Sequence, residues 1–129
     1  MKILVSYLWV ALGGSLGAMM RFAVARLSAS LFGISFPYGT FIINITGSFL
    51  LGIVATLVSQ RLIPNADNVR LVVAIGFLGA YTTFSTFEFE SHSLFDDGNW
   101  IYGLANLFAS LFVGLLAIRF GILLARRWV

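Results

Sequence analysis

The sequence has no cysteine, one histidine and two prolines. Without thiols there is no disulfide frame, no thiolate nucleophile and no thiolate metal site. One imidazole leaves no second histidine for a histidine-based metal centre or an intramembrane metalloprotease. Charge is equally scarce: only 10% of the 129 residues are charged, 60% are hydrophobic, and mean hydropathy is +0.98. A soluble domain carries about 25% charged residues, and a short chain has much surface for its volume. A soluble monomer is therefore excluded, and lipid must solvate most of the chain.

What is present falls into uncharged runs at 3–20, 27–60, 71–87 and 98–118. A helix needs about 20 residues to cross a bilayer. The run from 27 to 60 is too long for one crossing, and Pro37 divides it. The expected architecture is a single all-α integral membrane domain over 1–129, with four transmembrane helices near 3–25, 38–60, 70–95 and 100–124. Residues 28–37, with Gly33 and Pro37, are expected as an interfacial turn or short helix outside the first span. Met1 and Lys2 imitate the start of a signal peptide. The 18-residue uncharged run behind them exceeds a usual h-region of about 7–15 residues, so a retained helix is expected.

The eight Lys and Arg outnumber five Asp and Glu, and the isoelectric point is near 9.8. In a soluble protein that balance would suggest nucleic acid. Here the basic residues sit at helix ends, where they anchor and orient the spans, and no nucleic acid partner is expected. Lys2, Arg61, Arg70, Arg126 and Arg127 fall on one side and Arg26 on the other, with Arg21 and Arg119 placed within their helices. Five against one would put both termini in the cytoplasm.

The informative residues are polar groups inside spans, because lipid makes them costly unless they face inward or line a water path. The second span carries Thr40, Asn44 and Ser48 at i, i+4, i+8, and the fourth carries Tyr102, Asn106 and Ser110 at the same spacing. The third has Thr82, Thr83, Ser85 and Thr86, four hydroxyls within five residues. Helix packing explains such stripes, since small residues let backbones approach and amides bond across helices. Uncharged donors could equally line a path for a small anion. Phe84 and Phe87, at i, i+3, share a helix face; their positive ring edges suit an anion, though core packing explains them too.

The third span also looks discontinuous. Gly79 and the β-branched Thr82, Thr83 and Thr86 are modest helix formers. A broken helix is tolerated at membrane depth only where protein or a cavity satisfies its backbone, and freed carbonyls can hold a cation. Elsewhere, His92 reads as a surface residue in an acidic helix-end segment, and Glu88 and Glu90 as ordinary helix-end carboxylates or a vestibule rim. Arg21 either snorkels to the headgroups or attracts anions at an entrance. No enzymatic constellation is present in this pattern.

Four blocks of these residues resemble the Fluc (CrcB) family of fluoride channels. They are Gly14-x-x-Gly17-Ala18-x-x-Arg21-Phe22; Gly39-Thr40-Phe41-x-x-Asn44-x-x-Gly47-Ser48-Phe49; Gly76-Phe77-x-Gly79-x-x-Thr82-Thr83-Phe84-Ser85-Thr86-Phe87; and Asn106-x-x-x-Ser110-x-x-x-Gly114. The third block is the most specific. The resemblance implies a multi-pass protein of the cell inner (plasma) membrane, an antiparallel homodimer with two fluoride pathways between its subunits. It assigns Asn44, Thr83, Phe84, Ser85, Phe87, Asn106, Ser110 and Arg21 to the pathway. It also implies a structural, untransported Na⁺ held by the main-chain carbonyls of Gly79 and Thr82 from both subunits.

Fluoride is small and strongly hydrated, so a pore must offer several donors as water is removed. Dual insertion needs little charge bias, and here the bias is five to one. A proton-coupled small multidrug exporter, of similar length, wants a carboxylate in its first helix, and no Asp or Glu precedes Asp67. A non-transporting membrane subunit would explain the small residues but not the Thr/Phe block.

Overall fold

The computed structural model describes residues 2–128, with side chains from residue 3 onward. Its elements are α1 (Lys2–Phe32), α2 (Tyr38–Ser59), α3 (Ala66–Val69), a π-helical segment (Arg70–Leu78), α4 (Gly79–Tyr81), α5 (Ser85–Asp96) and α6 (Trp100–Arg126). No strand occurs among the described residues. Among the described residues, four stretches are long and apolar enough to cross a membrane: Ile3–Phe32, Tyr38–Ser59, Ala66–Asp96 and Trp100–Arg126. The expected all-α, four-span architecture with a break in the third span is the one observed.

The first span departs from expectation. Residues 26–32 continue α1 instead of forming a separate interfacial turn. Nothing in Arg26–Phe32 breaks a helix, and the side chain of Ser30 bonds back to Leu27 O at 2.8 Å. The helix ends where Gly33 takes a left-handed conformation, φ +77°, and donates to Ala29 O at 3.0 Å, a glycine stop. The turn is thus confined to 33–37. At the other end of the bundle, the third span starts at Ala66, a turn before the expected boundary.

The connections at 33–37, 60–65 and 97–99 are short, which makes consecutive spans antiparallel neighbours. α1 packs along the π segment so closely that a Cβ at Gly17 would run into the Phe77 carbonyl. α2 lies along α6, with Phe49 and Phe120 stacked at 5.9 Å between ring centroids. Ile43, Leu78 and Tyr81 form the buried apolar cluster, flanked by Val24, Ala25, Leu51, Val54, Val73 and Phe77. That cluster sits directly against the last turn before the break.

Burial is distributed as in a membrane protein. The interior holds Ser28, Thr40, Thr56, Ser91 and Asn106, while Ile101, Leu115, Phe108 and Phe112 stand more than half exposed. An apolar outer face suits lipid or a second subunit, and inward polar groups must find partners within the bundle.

Candidate functional site

The third span breaks at Thr82–Phe84 because two donors leave the helical ladder. Thr82 is extended (φ −77°, ψ 160°), while its amide and hydroxyl still bond Leu78 O at 3.0 and 2.9 Å. The next amide, Thr83 N–H, would close on Gly79 O in a continuous α-helix. It donates instead to Asn44 Oδ1 at 2.8 Å, and Asn44 Nδ2 donates to Thr83 O at 2.9 Å. Thr86 N–H, which would close on Thr82 O, donates to Thr83 Oγ1 at 3.3 Å. The Thr83 hydroxyl acts on the first turn of α5 as a side-chain cap and donates onward to Thr86 Oγ1 at 3.0 Å. Both diversions remove the α-helical partners of two carbonyls, Gly79 and Thr82.

An open groove of about 330 Å³ lies over the break. Asn44, Ser48, Gly79, Thr82, Thr83, Phe84, Phe87 and Ser110 are among its walls, drawn from α2, the third span and α6. Gly47 makes room for this arrangement: a Cβ there would run into the Thr82 methyl. Phe84 is 67% exposed and Phe87 only 5%, with ring centroids 6.0 Å apart and planes inclined at 41°. The groove also meets the start of α5, where the helix dipole places partial positive charge. Uncharged donors, ring edges and a helix start together favour a small anion.

The sequence-derived residues separate in space. Asn44, Thr83, Phe84, Phe87 and Ser110 share the groove with Gly79 and Thr82. Ser85 is exposed at the start of α5 and does not line the groove. Asn106 is completely buried behind it, with Nδ2 donating to Ser91 Oγ at 2.8 Å. Arg21 lies well inside α1 and lines a second cavity, about 380 Å³, with Thr40, Thr83, Thr86 and Glu90. Thr83 is common to both spaces. Glu88 is exposed, and His92, 73% exposed, lies 3.4 Å from Asp96.

Glu90 is the site residue that sequence patterning leaves at a helix-end rim. It belongs to the wall of the Arg21 cavity rather than to a rim, and its Oε2 is buried with no hydrogen-bond partner. Thr86 and Glu90, at i, i+4 on α5, share one helix face, and that spacing is the sequence signal for this wall. Thr46 and Tyr81, whose hydroxyls are 2.9 Å apart, carry no such signal in the sequence. Neither falls on a stripe with the others, so only the packing of α2 on α4 brings them together.

Comparison with known proteins agrees with this geometry. Residues 8–122 match the family model described as CrcB-like protein, Camphor Resistance (CrcB). A protein of Solibacter usitatus named fluoride-specific ion channel FluC is 43% identical over 121 residues, covering 94% of this chain and 98% of that one. One of the same name from Koribacter versatilis is 46% identical over 112 residues, 87% of this chain and 88% of the relative. Another, from Acidobacterium capsulatum, is 42% identical over 123 residues, 95% and 98% of the two chains.

Proposed function

The chain belongs to the CrcB-like family, and from that premise we propose that it is a fluoride-selective channel through which fluoride leaves the cell passively. Its place is the plasma (cell inner) membrane. Fluoride enters from acidic surroundings as neutral HF and ionises in the more alkaline cytoplasm; a channel then lets the negative-inside potential drive the anion out. No chemical transformation is involved, and the protein acts by replacing the hydration of the ion.

The observation that carries this reading is the groove itself, with amide and hydroxyl donors facing two phenylalanines across a helix break. Asn44 uses one amide hydrogen on Thr83 O and retains a second. The Ser110 hydroxyl is held by a long bond to Asn106, 3.2 Å, and can turn. The Ser85 hydroxyl stands exposed at the mouth of the break. Phe84 and Phe87 present edges that attract an anion and exclude water. Arg21 places an anion-attracting charge in the adjoining cavity, opposed there by Glu90. Selectivity follows from size: close, uncharged donors compensate for dehydrating fluoride and fit the larger chloride less well.

The groove is open on one side, so one protomer does not enclose a pore. A homodimer closes it, and an antiparallel pair would form two equivalent pathways. The freed Gly79 and Thr82 carbonyls fit a hard cation such as Na⁺, which prefers oxygen donors. Two oxygens are too few to hold a hard cation, and the matching pair from a second copy would bring the set to four. When bound, Na⁺ would supply positive potential between the pathways and tie the two broken spans together; it is not transported.

The test is flux from liposomes containing the purified protein. Fluoride should leave rapidly and chloride almost not at all. Equal chloride flux removes the selectivity, and absence of fluoride flux removes the channel.

A further inference from the structure

A one-way chain of hydrogen bonds links α6 to the second half of the broken span. Ser110 Oγ donates to Asn106 Oδ1 at 3.2 Å, Asn106 Nδ2 donates to Ser91 Oγ at 2.8 Å, and Ser91 Oγ donates to Phe87 O at 2.7 Å. The chain ends on the backbone of a groove phenylalanine. Its middle members are almost fully enclosed, Asn106 at 0% and Ser91 at 2% exposure.

We propose that Asn106 is a positioning residue that sets Phe87 through Ser91, rather than a direct ligand of the permeating ion. This inference rests on the channel reading above. The break removes the helical hydrogen bonds that would otherwise fix α5 on the preceding half-span. α5 must then be held from the side, by Asn44 at its leading edge and by Asn106 in its second turn. Asn106 is absent from the walls of the groove, whereas Phe87 is among them. The second amide hydrogen is enclosed with the rest of the side chain, which is 0% exposed, so the amide reaches an ion only by swinging out of a closed interior and giving up its bond to Ser91, which is costly.

The polarity of the chain follows from its last link. Ser91 has one hydroxyl proton and gives it to Phe87 O, so it accepts from Asn106. That sets the amide with nitrogen toward Ser91 and oxygen toward Ser110. At rest the Ser110 proton, at the groove wall, points to Asn106 over a long bond that yields when the hydroxyl turns to an ion.

Ser91→Ala, Asn106→Leu and the double variant separate the two roles. Each is reconstituted, and fluoride and chloride flux are measured per assembled channel, beside thermal stability and oligomer size. Both single variants should slow fluoride about tenfold, the scale of one lost hydrogen bond, and lower the fluoride-to-chloride ratio. The double variant should be no slower than the worse single one, because members of one network do not add. Ser91→Ala removes one oxygen and is the variant best able to fold. Unchanged flux and selectivity in Ser91→Ala would overturn the inference, as would losses that multiply in the double variant. So would lower stability with normal flux per surviving channel. Absence of fluoride flux in the unaltered protein overturns the channel reading instead.

Discussion

The hydroxyls of Thr46 and Tyr81 lie 2.9 Å apart, and the donor is defined by what Thr46 does next. Thr46 Oγ1 already donates to Ile42 O at 2.7 Å, so Tyr81 supplies the proton between them. Tyr81 is the last residue of α4, buried at 6% exposure and stacked on Phe77 with centroids 5.9 Å apart. Two residues before Thr46 on α2, Asn44 holds Thr83 on the far side of Thr82. α2 therefore grips the broken span on both sides of the break.

The two grips differ in what their loss leaves behind. Tyr81→Phe removes a hydroxyl while Thr46 keeps its bond to Ile42, and should cost about 1 kcal/mol of stability. Asn44→Ala leaves both the amide and the carbonyl of Thr83 without that partner, and should cost about 2–4 kcal/mol. Thermal unfolding in detergent measures both. Flux per assembled channel should fall sharply in Asn44→Ala and little in Tyr81→Phe; equal flux in the two would separate Asn44 from permeation.

Phe84 and Phe87 should also divide. Phe87 is nearly buried in the protomer and Phe84 is two-thirds exposed. Phe87→Ala opens a cavity and should destabilise by about 3–5 kcal/mol. Phe84→Ala removes few protomer contacts, so its main effect should be on fluoride flux. Unfolding temperature and flux, measured on the same preparations, test this separation. Similar stability losses in both variants would contradict it.

Gly47 is where the second span yields to Thr82. An alanine there would push against the Thr82 methyl and the Tyr81 ring, whose nearest carbon is 3.3 Å from the added Cβ. Displacing Thr82 moves one of the two carbonyls proposed to hold Na⁺. Gly47→Ala should lower flux, and Thr82→Ser in the same chain should restore part of it by removing the opposing methyl. Flux assays on the single and double variants decide the matter; failure of rescue would place the effect elsewhere.

Much of this site is legible in the residues themselves. Spans follow from charge spacing, and the break from Gly79 and the clustered threonines. The end of the first span is not legible, because Arg26 looks like a boundary on a hydropathy scale, yet a helix continues through a charge and stops at a residue such as Gly33. Glu90 was hidden for a related reason: a carboxylate near a helix end resembles a rim until the adjoining helices place it in a cavity wall. Asn44 and Asn106 look equivalent in sequence, each heading a polar i, i+4 pair. Rotation and depth of their helices, which periodicity does not supply, put one at the groove and seal the other behind it.

Orientation in the membrane supplies the last test. α1 begins and α6 ends beside the 60–65 turn, so Arg61, Arg70, Arg126 and Arg127 gather at one end of the bundle with the start of α1. Arg26 lies six residues before the end of α1, about 9 Å along the helix axis, and is a weak counterweight. Arg21 is deeper still. Acidic residues contribute little to topology, so Glu88, Asp96 and Asp97 do not balance the bias. An antiparallel dimer nevertheless requires both orientations in one membrane. A C-terminal tag should therefore be accessible from both sides, and Arg126→Gln with Arg127→Gln should shift the two populations toward equality. Adding lysines at the 97–99 turn, against the bias, should do the same. Enlarging the bias until one orientation remains should abolish fluoride flux, with restoration by co-expression of an oppositely biased copy. Full flux from a population in a single orientation would rule out the antiparallel pair for this chain.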